Sequence, residues 1–181
     1  MELFEKTLHE TEIFNGRIIR VHLDEVELPN GNLASREIVD HPGGVCVAAL
    51  SDNDTLQFVR QFRYPYHRVL LELPAGKLEK GSTPLENGKR ELLEETGAVG
   101  FNYISLGQVY PSPGYTDEII HLYACRVKEQ SENRPDEGEF LNVEKIPLKK
   151  AAEMVLNNQV FDPKTQIAVL KTAMLITSGK L

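Results

Sequence analysis

Basic residues are in short supply in this chain: 20 lysines and arginines stand against 27 acids, a formal net charge of -7. That balance excludes non-specific binding to nucleic acid or to an anionic membrane surface, because both need clustered cationic charge. A polyanionic substrate must then be met by local arginines or by metal ions. Cysteine is scarcer still, at two, and two thiols cannot make a framework of staples. Cys46 and Cys125 each sit in an apolar stretch and read as buried free thiols rather than a disulfide or a reactive pair. No apolar run approaches the roughly 20 residues that span a bilayer, and the start MELFEKTLHE lacks a basic segment followed by an apolar one. A soluble protein of the reducing cytoplasm, without a membrane partner, is expected. Low-complexity tracts and internal repeats are missing too. A chain of 181 residues therefore has room for one well-cored domain and a small appended lobe.

What is present is a succession of short extended patterns and three capped helices. Arg17 to Leu23 alternates, and Pro29-Asn30-Gly31-Asn32 supplies a turn, so the first forty residues read as a small antiparallel lobe. Apolar runs at 45–50 and 56–62, separated by Ser51-Asp52-Asn53-Asp54, open the main domain with a second hairpin. Further strands are expected at 69–73, 103–110, 119–127 and 140–146. Thr83-Pro84-Leu85-Glu86 is a capping box with proline at the first helical position, and Gly97 provides the left-handed stop. Two more helices are expected at 148–156 and after Asp162-Pro163. Strands flanked by few helices predict an α+β protein, an α/β/α sandwich on a mixed sheet with a small N-terminal antiparallel lobe. The expected division is 1–41 for the lobe and 42–181 for the main domain.

The chemistry concentrates between Gly76 and Ala98. Glu91, Glu94 and Glu95 lie at i, i+3 and i+4 of one helix, so three carboxylates crowd one face while Leu85, Leu92 and Leu93 are free to meet the core. Like charges at that spacing repel, and the crowding becomes favourable around a divalent cation with hard oxygen ligands. A solvated acidic face, partly neutralised by Lys89 and Arg90, is the plainer reading of the cluster alone.

The full spacing decides between them. The segment resembles the Nudix box: a glycine, five residues, a glutamate, seven residues, then Arg-Glu-apolar-any-Glu-Glu-any-Gly-apolar. Gly76, Arg90, Glu91, Leu92, Glu94, Glu95, Gly97 and Ala98 fall on its positions, and Ser82 stands where the first glutamate belongs. Gly88 is a second departure, since alanine inside a helix is better by about 1 kcal/mol. The flanks Leu71 to Lys77 and Ser112-Pro113-Gly114 are similar to those of the ADP-ribose pyrophosphatases of that family, with Pro113 sixteen residues beyond Gly97.

The resemblance implies hydrolysis of the pyrophosphate bond of ADP-ribose or a related nucleoside diphosphate sugar. It implies magnesium, or manganese in its place, held by Glu91, Glu95 and the backbone carbonyl of Ala75, with Glu94 beside them. Arg90 would orient Glu91 or Glu94. A further glutamate on the acidic loop Arg134 to Phe140 would serve as base, Glu139 first and Glu137 second. Arg63 and Glu72 match positions near the nucleotide, Pro113 marks the ADP-ribose group, and Glu118 reads either as a substrate or metal contact or as a strand entry. Arginines and aromatics alternate from Arg60 to Arg68, suited to phosphate and base or to an ordinary basic strand end. A homodimer that exchanges its N-terminal strands is also implied. GDP-mannose or diadenosine polyphosphate hydrolysis, or a non-catalytic Nudix module that binds ADP-ribose, are the alternatives.

Overall fold

Three antiparallel strands open the chain in the order β1 (Lys6–Asn15), β2 (Arg20–Glu27) and β3 (Leu33–Asp40). The computed structural model describes residues 3–135 and 138–181. Alternation along β2 buries His22, Asp24 and Val26 and turns Leu23 and Glu25 outward, as a strand of period two must. The sequence reading finds the second turn, where Gly31 N–H donates to Leu28 O at 2.8 Å, but not β1. That strand carries two register shifts against β2, at Thr7/His9 and Glu12/Phe14, which break the alternation that marks a strand in sequence.

Arg20 knits the three strands together, pairing with Glu10, with Glu12 at 2.9 Å and with Asp40 at 2.8 Å. His22 sits between Asp24 at 2.7 Å and Asp40 at 3.2 Å. This unit comprises Met1–Gly43 and a second piece of chain, Tyr110–Ile119. The join is a backbone exchange: Val39 N–H donates to Tyr115 O at 2.7 Å, Asp117 N–H donates to Val39 O at 3.3 Å, and His41 N–H donates to the Asp117 carboxylate at 2.8 Å.

The second unit, Gly44–Val109 with Ile120–Leu181, holds seven strands and three α-helices among its described residues. In chain order these are β4 (Gly44–Ser51), β5 (Thr55–Arg63), β6 (Arg68–Glu72), β7 (Ala75–Lys77), α1 (Pro84–Thr96), β8 (Ala98–Val109), β9 (Ile120–Gln130), β10 (Leu141–Pro147), α2 (Leu148–Leu156) and α3 (Pro163–Thr177). The sheet runs β10-β5-β4-β9-β8, with β6 on β5 and β7 on β4. β4 and β9 are parallel and the other pairings antiparallel, so the sheet is mixed.

β4 is apolar at nearly every position because both its faces are covered. Cys46, Ala48 and Leu50 join a cluster with Leu148, Ala151 and Val155 of α2 and with Ala168 and Val169 of α3. Val47 and Ala49 point the other way, into a cluster with Leu92 of α1, Ala98 and Cys125. Helices thus cover both faces, the expected α/β/α sandwich. Both cysteines are free and buried.

The helix ends form as their caps dictate. Thr83 and Glu86 close a reciprocal capping box, Pro84 takes the first position, and Gly97 adopts φ 72°. At α3 the Asp162 carboxylate accepts from Thr165 N–H at 3.0 Å. One expectation fails: Leu93 is 44% exposed while Leu92 is fully buried, because neighbouring helical residues lie about 100° apart and the stripe through Leu92 excludes Leu93.

Gly88 resolves into a packing requirement. A Cβ there would meet Val45 Cγ2 and Val47 Cγ2, each at 3.0 Å, so α1 lies against β4 through a residue with no side chain. Gly88→Ala gains about 1 kcal/mol of helix propensity against an overpacking cost of about 2 kcal/mol. A net loss of about 1 kcal/mol is expected from urea unfolding, whereas a gain would show that the valines yield.

Candidate active site on helix α1

The inner stripe of α1 is polar where an amphipathic helix is ordinarily apolar. Asn87, Glu91 and Glu95 follow one another at i, i+4 and i+8, and all three are buried. Asn87 shapes the loop before the helix: its Oδ1 accepts from Glu79 N–H at 3.1 Å and its Nδ2 donates to Thr83 O at 2.9 Å. Sequence reasoning missed this residue, although a polar side chain on the Leu92 side of the helix was the available signal.

Glu91 rests directly against the chain at Gly76. A Cβ on that glycine would lie 2.0 Å from Glu91 Oε1, so only glycine lets the carboxylate occupy this cradle. Glu95 accepts from the Ala75 N–H at 3.1 Å. Residues 75 and 76 thus hold both carboxylates beside β7. Arg90 donates to Glu91 at 2.7 Å and to Glu94 at 2.6 Å, gripping the two as a charge-assisted fork. Its third ion pair, to Glu79 at 3.2 Å, lies on the preceding loop and had no sequence signal.

Electrostatics separate the two buried acids. Burial raises the pKa of Glu91, and Arg90 opposes that rise. Glu95 has no ion pair among the described residues. Burial pushes it up to about 8, the Ala75 N–H works against the shift, and the charges of Glu91 and Glu139 add to it. Glu139 lies exposed between β9 and β10, close enough for its charge to be felt by both acids. Glu137 lies outside the described residues.

Arg63 and Glu72 face each other across a bidentate pair, Nε to Oε1 at 2.6 Å and Nη2 to Oε2 at 2.8 Å. Lys164 adds a third bond to Glu72 at 2.5 Å and holds Asp162 at 2.9 Å. Burial alone would raise the pKa of Glu72, but Arg63 and Lys164 outweigh it and hold the acid down at about 2. Glu72 is only 2% exposed, whereas the Arg63 side chain that holds it is 37% exposed. A lysine in the first turn of a helix opposes the helix dipole, which was the available signal for Lys164. Pro113 and Glu118 fall in the Tyr110–Ile119 piece of the first unit, where Glu118 lies 3.4 Å from His41.

The donor set suits a divalent cation. Two carboxylates flank one backbone segment, and a hard cation completes such a partial shell with carbonyl, water and substrate phosphate. Another acidic group, Glu10, His22 and Asp24, brings three ligand atoms together in the first unit, where Arg20 already compensates Glu10.

The layered fold and the carboxylate helix define a Nudix domain, and the chain belongs to the Nudix family: residues 40–165 match the NUDIX domain model. Residues 5–39 match the nucleoside diphosphate sugar hydrolase N-terminal domain. The ADP-ribose pyrophosphatase of Bacillus subtilis is 41% identical, over 92% of this chain and 91% of that protein. The methanol dehydrogenase activator of Bacillus methanolicus is 42% identical, over 91% and 90%. The GDP-mannose pyrophosphatase of Yersinia enterocolitica is 30% identical, over 91% and 93%.

The raised pKa of Glu95 sets a pH dependence. Folding favours its protonated form, so that stabilisation is complete below the ordinary value of 4.5 and is lost as pH rises through about 8. Calorimetry in chelator is expected to show a falling Tm across that window, with the fall reversed by a divalent cation, which displaces the proton. Subtracting the Glu95→Gln profile isolates this acid from His22, whose pKa is raised chiefly by the Asp24 hydrogen bond. Parallel profiles for the two proteins would refute the assignment.

Proposed function

We propose that the protein hydrolyses the pyrophosphate bond of ADP-ribose or a related nucleoside diphosphate sugar, releasing a nucleoside monophosphate and a sugar phosphate. The observation that carries this reading is the buried pair Glu91 and Glu95, with Glu95 held by a backbone N–H and left without an ion pair among the described residues. The relatives named ADP-ribose pyrophosphatase and GDP-mannose pyrophosphatase support the substrate class.

Glu91, Glu95 and the Ala75 carbonyl would hold magnesium, or manganese in its place, which neutralises the diphosphate and lowers the pKa of a water. The chain's own groups do the rest. Arg90 fixes Glu91 and Glu94. Arg63, aimed by Glu72, offers its guanidinium to the diphosphate. The attacking water forms a bond to phosphorus as the bridging P–O bond breaks, and Glu139 accepts the proton that the water gives up. Glu137 is the second choice for that role.

The test is product release from ADP-ribose, GDP-mannose, diadenosine polyphosphates and nucleoside triphosphates, with magnesium or manganese. AMP and ribose 5-phosphate are expected from ADP-ribose, with Glu95→Gln and Glu139→Gln each lowering kcat about 100-fold. Loss in Glu95→Gln alone would move the base away from Glu139. Binding of ADP-ribose without turnover of any substrate would replace the enzyme by a ligand-binding module.

The first unit supports a homodimer. β1 is an edge strand exposed along its whole length, and Leu8, Ile13, Phe14, Leu23 and Leu33 present apolar side chains from the three strands. Sedimentation equilibrium is expected to give twice the chain mass of 20.4 kDa, and a monomer mass would exclude the assembly. The two buried free thiols support a reducing, cytoplasmic setting.

A further inference from the structure

The Nudix box of this chain has serine at position 82 in place of its first glutamate, yet the loop that should carry that acid is well tied. Glu79, three residues earlier, donates its N–H to the buried Asn87 side chain at 3.1 Å, and its carbonyl accepts from Ser82 N–H at 3.3 Å. Those bonds fix the Glu79 backbone between Gly76 and the start of α1. Its carboxylate reaches Arg90 Nη2 at 3.2 Å, the nitrogen that also donates to Glu91. Arg90 therefore collects three acids: Glu91 and Glu94 from its own helix, and Glu79 from the loop.

We propose that Glu79 is a positioning residue that takes the place of the box glutamate missing at Ser82, clasping the loop onto Arg90 and so holding Glu91 in its cradle at Gly76. The inference rests on the reading of Glu91 as a metal ligand. Its physical basis is geometric. Arg90 is mobile about its long side chain unless several acceptors fix the guanidinium plane, and two acceptors on one helix restrain it less than two on the helix and one across the loop. As an exposed ion pair, Glu79–Arg90 adds little to folding stability. Its effect belongs in how well Glu91 is oriented, the role that partners of metal ligands play.

The experiment compares wild type, Glu79→Gln, Ser82→Glu and the double variant, reading steady-state kinetics on ADP-ribose and manganese affinity by EPR titration of the metal alone. Glu79→Gln is expected to keep the wild-type Tm and KM, to lower kcat about tenfold and to weaken manganese binding by a similar factor. Adding Ser82→Glu to it is expected to restore both to within about twofold of wild type, since the acid then returns to its usual place in the box. Unchanged kcat and manganese affinity in Glu79→Gln would overturn the proposal, and so would a loss that Ser82→Glu fails to recover. If the wild type turns over no substrate, the hydrolase reading fails by itself, and the manganese titrations still decide the role of Glu79.

Discussion

Burying two carboxylates on the inner stripe of one helix is the constraint around which this protein is arranged. An ionised acid out of water is costly unless it is compensated, and α1 places Glu91 and Glu95 where an ordinary helix would place leucines. Compensation comes from four directions. Gly76 gives Glu91 space against the chain, the Ala75 N–H meets Glu95, Arg90 grips Glu91 and Glu94, and Asn87 ties down the loop that leads into the helix. Glu95 stays under-compensated by the described protein groups, and that shortfall distinguishes it from a structural ion pair.

The layers exist to make that burial affordable. β4 packs α2 and α3 on one face and α1 on the other, and Gly88 draws α1 close enough to the sheet for its acidic stripe to be enclosed. At the end of β6, paired with Val59 of β5, Glu72 solves the same problem differently. It has two fixed cations, Arg63 and Lys164, and its pKa falls where that of Glu95 rises. Two glutamates of comparable burial thus take opposite protonation behaviour, set by which fixed cations the neighbouring elements deliver.

Part of this was legible in the chain itself. The capping box at Thr83, the stop at Gly97 and the three helices follow from local stereochemistry, which needs only neighbours in sequence. The helical spacing marked Glu91, Glu94 and Glu95 as one face, and the box pattern added Arg90. Asn87 and Lys164 were readable in principle, as a polar residue on a core stripe and a cation in the first turn of a helix. β1 was hidden because two register shifts break its alternation, and Glu79 because an exposed loop acid looks like any other until its partner is known.

Sequence alone determined the helices, their caps, the apolar run at 45–50 and the acidic helix face, since each is written in residues a few positions apart. Only the tertiary structure decided that Gly76 cradles Glu91, that Lys164 meets a Glu72 lying 92 positions away in the chain, and that Tyr110–Ile119 joins the N-terminal strands. Those outcomes depend on chain segments that meet only after folding, where burial sets the energy of each charge and no periodicity records the encounter.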